Sequence, residues 1–213
     1  MRPGFFVGFG INMMGLDSTR KVTREFADNL TESGAESLLI RTNELLNGLG
    51  IWGYVVGGFV RDTLLGRHTL DIDIAVTADA PEVARRVAEG LAGKYVLLDE
   101  VFGVARVIAT GADVTDRSWQ LDFSSCEGNI EQDLARRDFT INAMAINIDE
   151  LVRDCRKARL IDPFDGCEDL DQSIIRSIRE EAFKDDPLRL LRAVRLAAEL
   201  DYSIAEDTRE QIQ

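Results

Sequence analysis

Asp71 and Asp73 stand two residues apart in the apolar run Asp71-Ile72-Asp73-Ile74-Ala75-Val76. Successive side chains of a strand point to opposite faces, so the two carboxylates share one face and the two isoleucines the other. Two anions held side by side call for a cation, and hard carboxylate oxygens suit Mg²⁺. Just upstream, Tyr54-Val55-Val56-Gly57-Gly58-Phe59-Val60-Arg61-Asp62-Thr63-Leu64-Leu65-Gly66-Arg67 reads as an apolar strand, a double-glycine turn and a short helix. Glycines without Cβ atoms let a polyphosphate approach their backbone N–H groups, and the start of a helix adds a favourable dipole. A third carboxylate, Asp122, lies in Leu121-Asp122-Phe123, where burying an unpaired charge would be costly. Three strand carboxylates converging on one point would bind two Mg²⁺ ions, which activate an attacking hydroxyl and stabilise a leaving pyrophosphate. A D-x-D by itself also fits a solvated strand edge; the glycine turn before it favours a metal-bound nucleoside triphosphate.

Several elements must position these residues. Residues 35–49 carry leucines near helical spacing and stop at Gly50, which predicts an amphipathic helix beside the first strand. After the 71–76 strand, Pro81 suits a first helical turn, and Val83, Ala84, Val87, Ala88 and Leu91 repeat on one face. Strands are expected at 95–98, 104–109 and 119–124. No helix separates them, so they should pair antiparallel, and the fold class is α/β (α+β), a mixed, mainly antiparallel sheet with flanking helices. From Ile130 the pattern turns helical, with helices expected at 130–137 and 140–145. Asp162-Pro163-Phe164-Asp165-Gly166 reads as a turn. Pro187 opens a helix over 188–200 with Leu188, Leu191, Val194 and Leu196 expected inside and arginines on another side.

At 213 residues there is room for one sizeable domain and the beginning of another. The division expected is a loosely ordered leader over 1–34, a catalytic head over 35–150, and the end of the head with the start of a helical neck over 151–213. The stop at Gln213 inside a helix-like run suggests a longer protein. A net charge of -13 argues against a general affinity for nucleic acid, so any RNA contact must be local. Three cysteines, Cys126, Cys155 and Cys167, have neither zinc-site nor disulfide-framework spacing, which points to a reducing, cytoplasmic setting. The apolar start faintly resembles a signal peptide, but glycines interrupt it and no usual cleavage site follows. No stretch is long and apolar enough for a membrane span. His68, the one histidine, falls in a turn with nothing to orient it, and Trp52 and Trp119 read as packing residues.

The glycine run 57–66 with Asp71-x-Asp73 resembles the signature of class II tRNA nucleotidyltransferases and bacterial poly(A) polymerases, of the polymerase-β-like superfamily. Arg136-Arg137-Asp138-Phe139-Thr140-Ile141-Asn142-Ala143-Met144-Ala145 resembles their second motif almost letter for letter. Asp185-Asp186-Pro187-Leu188-Arg189-Leu190-Leu191-Arg192-Ala193-Val194-Arg195 resembles their base-selecting helix, which usually opens Glu-Asp. The resemblance spans 54–207, with the motifs in the family's order.

It implies a polymerase-β-like head followed by an all-helical neck, and an enzyme that adds C, as CC or CCA, to the tRNA 3′ end from CTP and ATP with release of pyrophosphate. Asp71, Asp73 and Asp122 would bind the two metals. Gly57 and Gly58 would lie against the nucleotide, Gly58 and Arg61 would hold triphosphate oxygens, and Arg137 would also meet the nucleotide. Asp138 and Asn142 would lie near the ribose. Arg61 could instead form a salt bridge with Asp62, and Asn142 a structural hydrogen bond. Asp186 and Arg189, three apart on a helix, are neighbours on one face, and acceptor beside donor would imitate a base's pairing edge. Arg192 and Arg195 continue the basic row and would hold the triphosphate or the helix. Many CCA-adding relatives carry a longer flexible segment where this chain has only 123–136, and the short form is characteristic of relatives that add CC. Poly(A) or A addition is the alternative within the enzyme class, and a non-catalytic nucleotide-binding module the alternative outside it. A homo-oligomer is compatible with the sequence.

Overall fold

The computed structural model describes residues 19–110, 118–126, 128–180 and 182–212. In chain order the elements are β1 (Thr19–Lys21), α1 (Arg24–Ser33), α2 (Ala35–Gly48), β2 (Gly53–Val56), α3 (Gly57–Leu64), β3 (Asp71–Val76), α4 (Ala80–Leu91), β4 (Lys94–Asp99), β5 (Val104–Thr110) and β6 (Ser118–Ser125). There follow α5 (Ile130–Leu134), a 3₁₀ turn at Thr140–Asn142, β7 (Ala145–Asn147), α6 (Ile148–Arg153), β8 (Arg159–Ile161) and α7 (Gly166–Asp171). The chain then runs through β9 (Ile174–Ile175), α8 (Ala182–Asp185), α9 (Leu188–Leu200), β10 (Ser203–Ile204) and α10 (Glu206–Ile212).

Eight strands form one sheet in the order β1-β8-β7-β2-β3-β6-β5-β4. Every neighbouring pair is antiparallel except β3 and β6, so the sheet is mixed and mainly antiparallel, as the absence of helices between β4, β5 and β6 implied. Alternation along the strands sorts the side chains. Val55, Ile72, Ile74, Val76, Leu121 and Phe123 enter the main core with Val83, Val87 and Leu91 of α4. Val56, Ala75 and Ala145 join a smaller cluster with Ile130 and Leu134 of α5. Because Asp71 and Asp73 alternate with Ile72 and Ile74, burying the isoleucines puts both carboxylates on the face opposite the main core. Burying side chains such as Phe59 and Phe123 is worth about 1.5–3 kcal/mol each, so the core holds this register against a one-residue slip.

Several expectations are corrected. Residues 19–33, read as part of a loose leader, form β1, which pairs with β8, and α1, whose Phe26 and Leu30 are core residues. Thr23 caps α1 by accepting the Phe26 N–H, and Gly34 ends it in the left-handed region at φ 79°. The amphipathic spacing within 24–33 was the signal missed. Residues 1–18, where the signal-like segment falls, lie outside the described residues. The helix expected at 140–145 is a 3₁₀ turn leading into β7, because Ala145 and Ile146 pair with β2 and β8, and tertiary pairing overrides local propensity. The helix expected at 130–137 ends at Leu134.

Within 151–213, β9 and β10 pair in parallel beside the helices. In α9 the buried residues are Ala193, Leu196 and Leu200, whereas Leu188, Leu191 and Val194 are 65%, 70% and 57% exposed. Only one stripe of that helix meets the packing around β9 and β10, and the leucines on the other side meet no described neighbour layer. Trp119 is buried as expected, but Trp52 is 63% exposed. Among the described residues no helix is long and apolar enough to cross a membrane.

Candidate active site

Strand register assembles the acidic row. Asp73 stands opposite Asp122 across β3 and β6, and Asp122 opposite Arg106 across β6 and β5. On the other side of β3, Asp73 is opposite Val56, the last residue of β2. Asp71, exposed at the start of β3, is opposite Gln120. Burial pushes the Asp73 carboxyl up from the ordinary carboxylate range; the Arg137 guanidinium and the Gly58 N–H pull it down, and Asp122 and Asp71 push it further up. Asp73 is therefore an anion held at a cost that Arg137 only partly offsets.

The chain turns from β2 into α3 at Gly57, whose φ is +65°. A Cβ there would come within 3.0 Å of both Arg137 Nη1 and Asp73 Oδ2. The positive φ therefore favours glycine, and a side chain would also crowd the ends of Arg137 and Asp73. The Gly57 N–H donates to the Met144 carbonyl at 3.2 Å, and the Gly58 N–H faces Asp73 closely enough to lower its pKa. In this form the turn's N–H groups hold the protein together, and the open space above them is what a ligand can use.

Arg61 is buried and forked onto Asp62, Nε to Oδ1 and Nη2 to Oδ2 both at 2.9 Å, the salt bridge weighed from the sequence. Its Nη1 donates to Asn142 Oδ1 at 2.7 Å. Asn142 Nδ2 donates to Asp138 Oδ1 at 3.3 Å, and Arg192 Nη2 lies 2.9 Å from Asp138 Oδ2. These contacts join α3, the 3₁₀ turn and α9 into one polar relay, so Asn142 is structural in this form.

Arg136 and Arg137 both pair with Asp133 of α5, at 3.2 Å each. Asp133, in the last turn of α5 and three and four residues before the two arginines that follow the helix, was not singled out from the sequence, although that spacing signalled it. Its placement depends on α5, which Asn129 and Gln132 start with a reciprocal capping box. Asp186 and Arg189 are 3.9 Å apart, with the Asp186 carboxylate accepting the Leu188 N–H and Arg189 Nη2 donating to the Arg136 carbonyl at 2.9 Å.

A cavity of about 480 Å³ brings together Gly57, Gly58, Asp73, Asp122, Arg137, Asp138, Asn142, Arg189 and Arg192. An adjoining one of about 430 Å³ adds Arg61, Asp71 and Arg195 and shares Gly58, Asp73, Asn142 and Arg192. Asp186 lines neither. His68, exposed as expected, edges the second.

Asp122 shares a face and a cavity with Asp73, but in this form it carries a partner of its own. Arg106 forks onto Asp122, Nε to Oδ1 at 2.6 Å and Nη2 to Oδ2 at 2.7 Å, so both Asp122 oxygens are engaged. Among the described residues no group of three or more His, Cys, Asp or Glu side chains is arranged to hold a metal ion. The remaining donors nevertheless fit a divalent ion. Asp71 and Asp73 present hard oxygens on one face, Asp73 lacks sufficient counter-charge, and a Cβ at Gly57 would fill space against it.

The poly A polymerase head domain family matches residues 53–176. The chain belongs to that family. This poly A polymerase head domain is 43% identical over 158 residues to a CC-adding tRNA nucleotidyltransferase of Geobacter sulfurreducens, covering 74% of this chain and 34% of that protein. It is 42% identical over 158 residues to a CC-adding tRNA nucleotidyltransferase of Synechocystis sp., covering 73% of this chain and 35% of that one. The structure of the Thermotoga maritima CCA-adding enzyme complexed with tRNA aligns with a TM-score of 0.71 at 35% identity, over 91% of this chain and 44% of that one. The chain thus spans about a third of the length of these curated relatives. These likenesses bear out the resemblance to class II tRNA nucleotidyltransferases and the nucleotidyltransferase head fold. Membership of this family implies divalent-metal chemistry in general. Asp186, Arg189, Arg192 and Arg195 lie beyond the matched segment.

Proposed function

We propose that this head domain belongs to a cytoplasmic, template-independent RNA nucleotidyltransferase that adds cytidine, two in succession, to the 3′ end of tRNA. The RNA 3′-hydroxyl oxygen attacks the α-phosphorus of CTP, the bond to the β-phosphate oxygen breaks, and pyrophosphate leaves. The observation that carries this reading is the Asp73–Asp122 pair in one cavity with the Gly57-Gly58 turn and Arg137.

Two Mg²⁺ ions would be held by Asp71 and Asp73, with Asp122 contributing to one, and would activate the hydroxyl and stabilise the charge on the pyrophosphate. The chain's own residues then bind and orient. Gly57 and Gly58 leave room for the triphosphate beside Asp73. Arg137, held by Asp133, and Arg61, held by Asp62 and Asn142, supply fixed positive charge to its oxygens. Asp138 and Asn142 offer acceptor and amide groups to the ribose hydroxyls. Arg189, with Asp186 beside it, would offer donor and acceptor to the base, which requires Arg189 to leave the Arg136 carbonyl and turn into the cavity. Arg192 and Arg195 line the two cavities and add charge along the phosphates' path.

Cytidine specificity is supported by the compact passage from β6, ending at Ser125, to α5, starting at Ile130, and by the names of the two curated relatives. The test is incorporation of labelled CTP and ATP, offered separately, into tRNAs ending before the first and after the second cytidine of the 3′ CCA, using the protein extended to the length of its relatives; adenosine added to the CC-ending tRNA alongside cytidine addition would make the reading CCA addition. Two cytidines and no adenosine are expected. Incorporation of ATP alone would move the reading to an A-adding enzyme or poly(A) polymerase, the activity named by the matched family. No incorporation of any nucleotide under Mg²⁺, with nucleotide binding intact, would overturn it.

A further inference from the structure

Arg106 has no part in the reading above, yet it makes the tightest contacts in the acidic row. It stands opposite Asp122 in the β5–β6 register and opposite Val96 in the β4–β5 register, so its only charged cross-strand neighbour in that row is Asp122. Its fork takes both Asp122 oxygens, and its third nitrogen, Nη1, donates to Gln120 Oε1. Gln120 is in turn the residue opposite Asp71. Arg106 and Asp122 are 29% and 22% exposed, partly shielded from water and salt.

We propose that Arg106 is a tethered counter-ion for the third carboxylate: it occupies Asp122 in place of a divalent cation and sets the concentration at which metal takes Asp122 over. This inference rests on the proposed function, since it concerns the same carboxylates. A cation at Asp122 needs at least one of the two oxygens, and each is already a charge-assisted acceptor at 2.6 or 2.7 Å. Metal binding there must therefore break or share an Arg106 contact. The guanidinium stays charged at any working pH, so deprotonation cannot release the carboxylate. The Gln120 contact keeps the head group beside Asp122 once one oxygen is surrendered, which makes the exchange reversible. Among the described residues Asp71 and Asp73 have no such partner at fork distance, so the row holds two carboxylates ready for metal and one held in reserve. Arg106 is a positioning residue: it acts on the reaction through Asp122.

The test is Mn²⁺ binding to the nucleotide-free protein, followed by electron paramagnetic resonance and calorimetry. Arg106→Gln is expected to bind Mn²⁺ roughly three- to tenfold more tightly than the native chain, the range expected for removing a partly buried competing ion pair. Arg106→Lys, which keeps the charge but loses the fork, should fall between. In an Asp122→Asn background the Arg106→Gln effect should vanish, an outcome that a general loosening of the sheet would not produce. Thermal melts establish that each variant is folded. Unchanged Mn²⁺ affinity in both Arg106 variants, or a gain that persists with Asp122→Asn, overturns the proposal while leaving the nucleotidyltransferase reading intact. Absence of Mn²⁺ binding to every variant, the native chain included, overturns the metal assignment and this proposal with it.

Discussion

Asp73 and Asp122 face each other across β3 and β6, the one parallel pair among the described strands of the eight-stranded sheet. Parallel pairing places two carboxylates from distant parts of the chain on the same face in adjacent rungs, and burial of Asp73 makes their proximity costly.

That cost has a sign. Burial, with Asp122 and Asp71 adding to it, raises the folded-state pKa of Asp73 above its unfolded value, so the folded chain holds that proton more firmly. Stability is lost as pH rises through the raised value and regained as it falls back to the ordinary carboxylate range. In a chelator, Asp73→Asn should melt higher than the native chain at pH 8, with the gap closing towards pH 4. The same variant should have no detectable transfer activity. Melting curves across that range check it, and equal midpoints at pH 8 would mean that Asp73 is not strained by its surroundings.

Gly57→Ala places a methyl group at φ +65° against Arg137 and Asp73. A stability loss of about 1 kcal/mol is expected from the backbone alone. CTP affinity should fall further than that loss explains, because the added atom occupies the space beside Asp73. Calorimetry of CTP binding, alongside urea unfolding, separates the two effects.

Asn142→Ala removes the acceptor for the buried Arg61 Nη1 and cuts the relay to Asp138 and Arg192. The expected loss is about 1–3 kcal/mol, the cost of leaving a buried charged donor short of a partner. Urea unfolding measures it. Asn142→Asp keeps an acceptor for Arg61 but sets a second carboxylate against Asp138, so it should not restore the native stability, and native stability in either variant would place the effect elsewhere.

Arg189→Ala should lower kcat/KM for CTP by roughly ten- to a hundredfold and narrow its margin over UTP, the range of one paired donor–acceptor contact to a base. Steady-state incorporation with each nucleotide checks this. A uniform fall for all nucleotides would mean that Arg189 merely braces the Arg136 carbonyl.

Much of the site was legible in one dimension because its signals are local. The period of two in Asp71-Ile72-Asp73-Ile74 determines that both carboxylates share a face, whatever packs on the other, and Gly57-Gly58 marks a turn whose conformation a side chain would oppose. The lack of helices between β4 and β6 determined their antiparallel pairing. Charge partners set by register could not be read in this way. Arg106 meets Asp122 only because β5 lies beside β6 in one register out of several, and Arg61 meets Asn142 across 81 residues of sequence. Burial of α9 was likewise decided in three dimensions: its sequence offers apolar residues on two sides, and the packing around β9 and β10 covers only Ala193, Leu196 and Leu200. Periodicity is a property of neighbouring residues, so the sequence by itself determined which side chains share a face. Which charges neutralise one another depends on strands that meet only after folding, and that was decided by the tertiary structure.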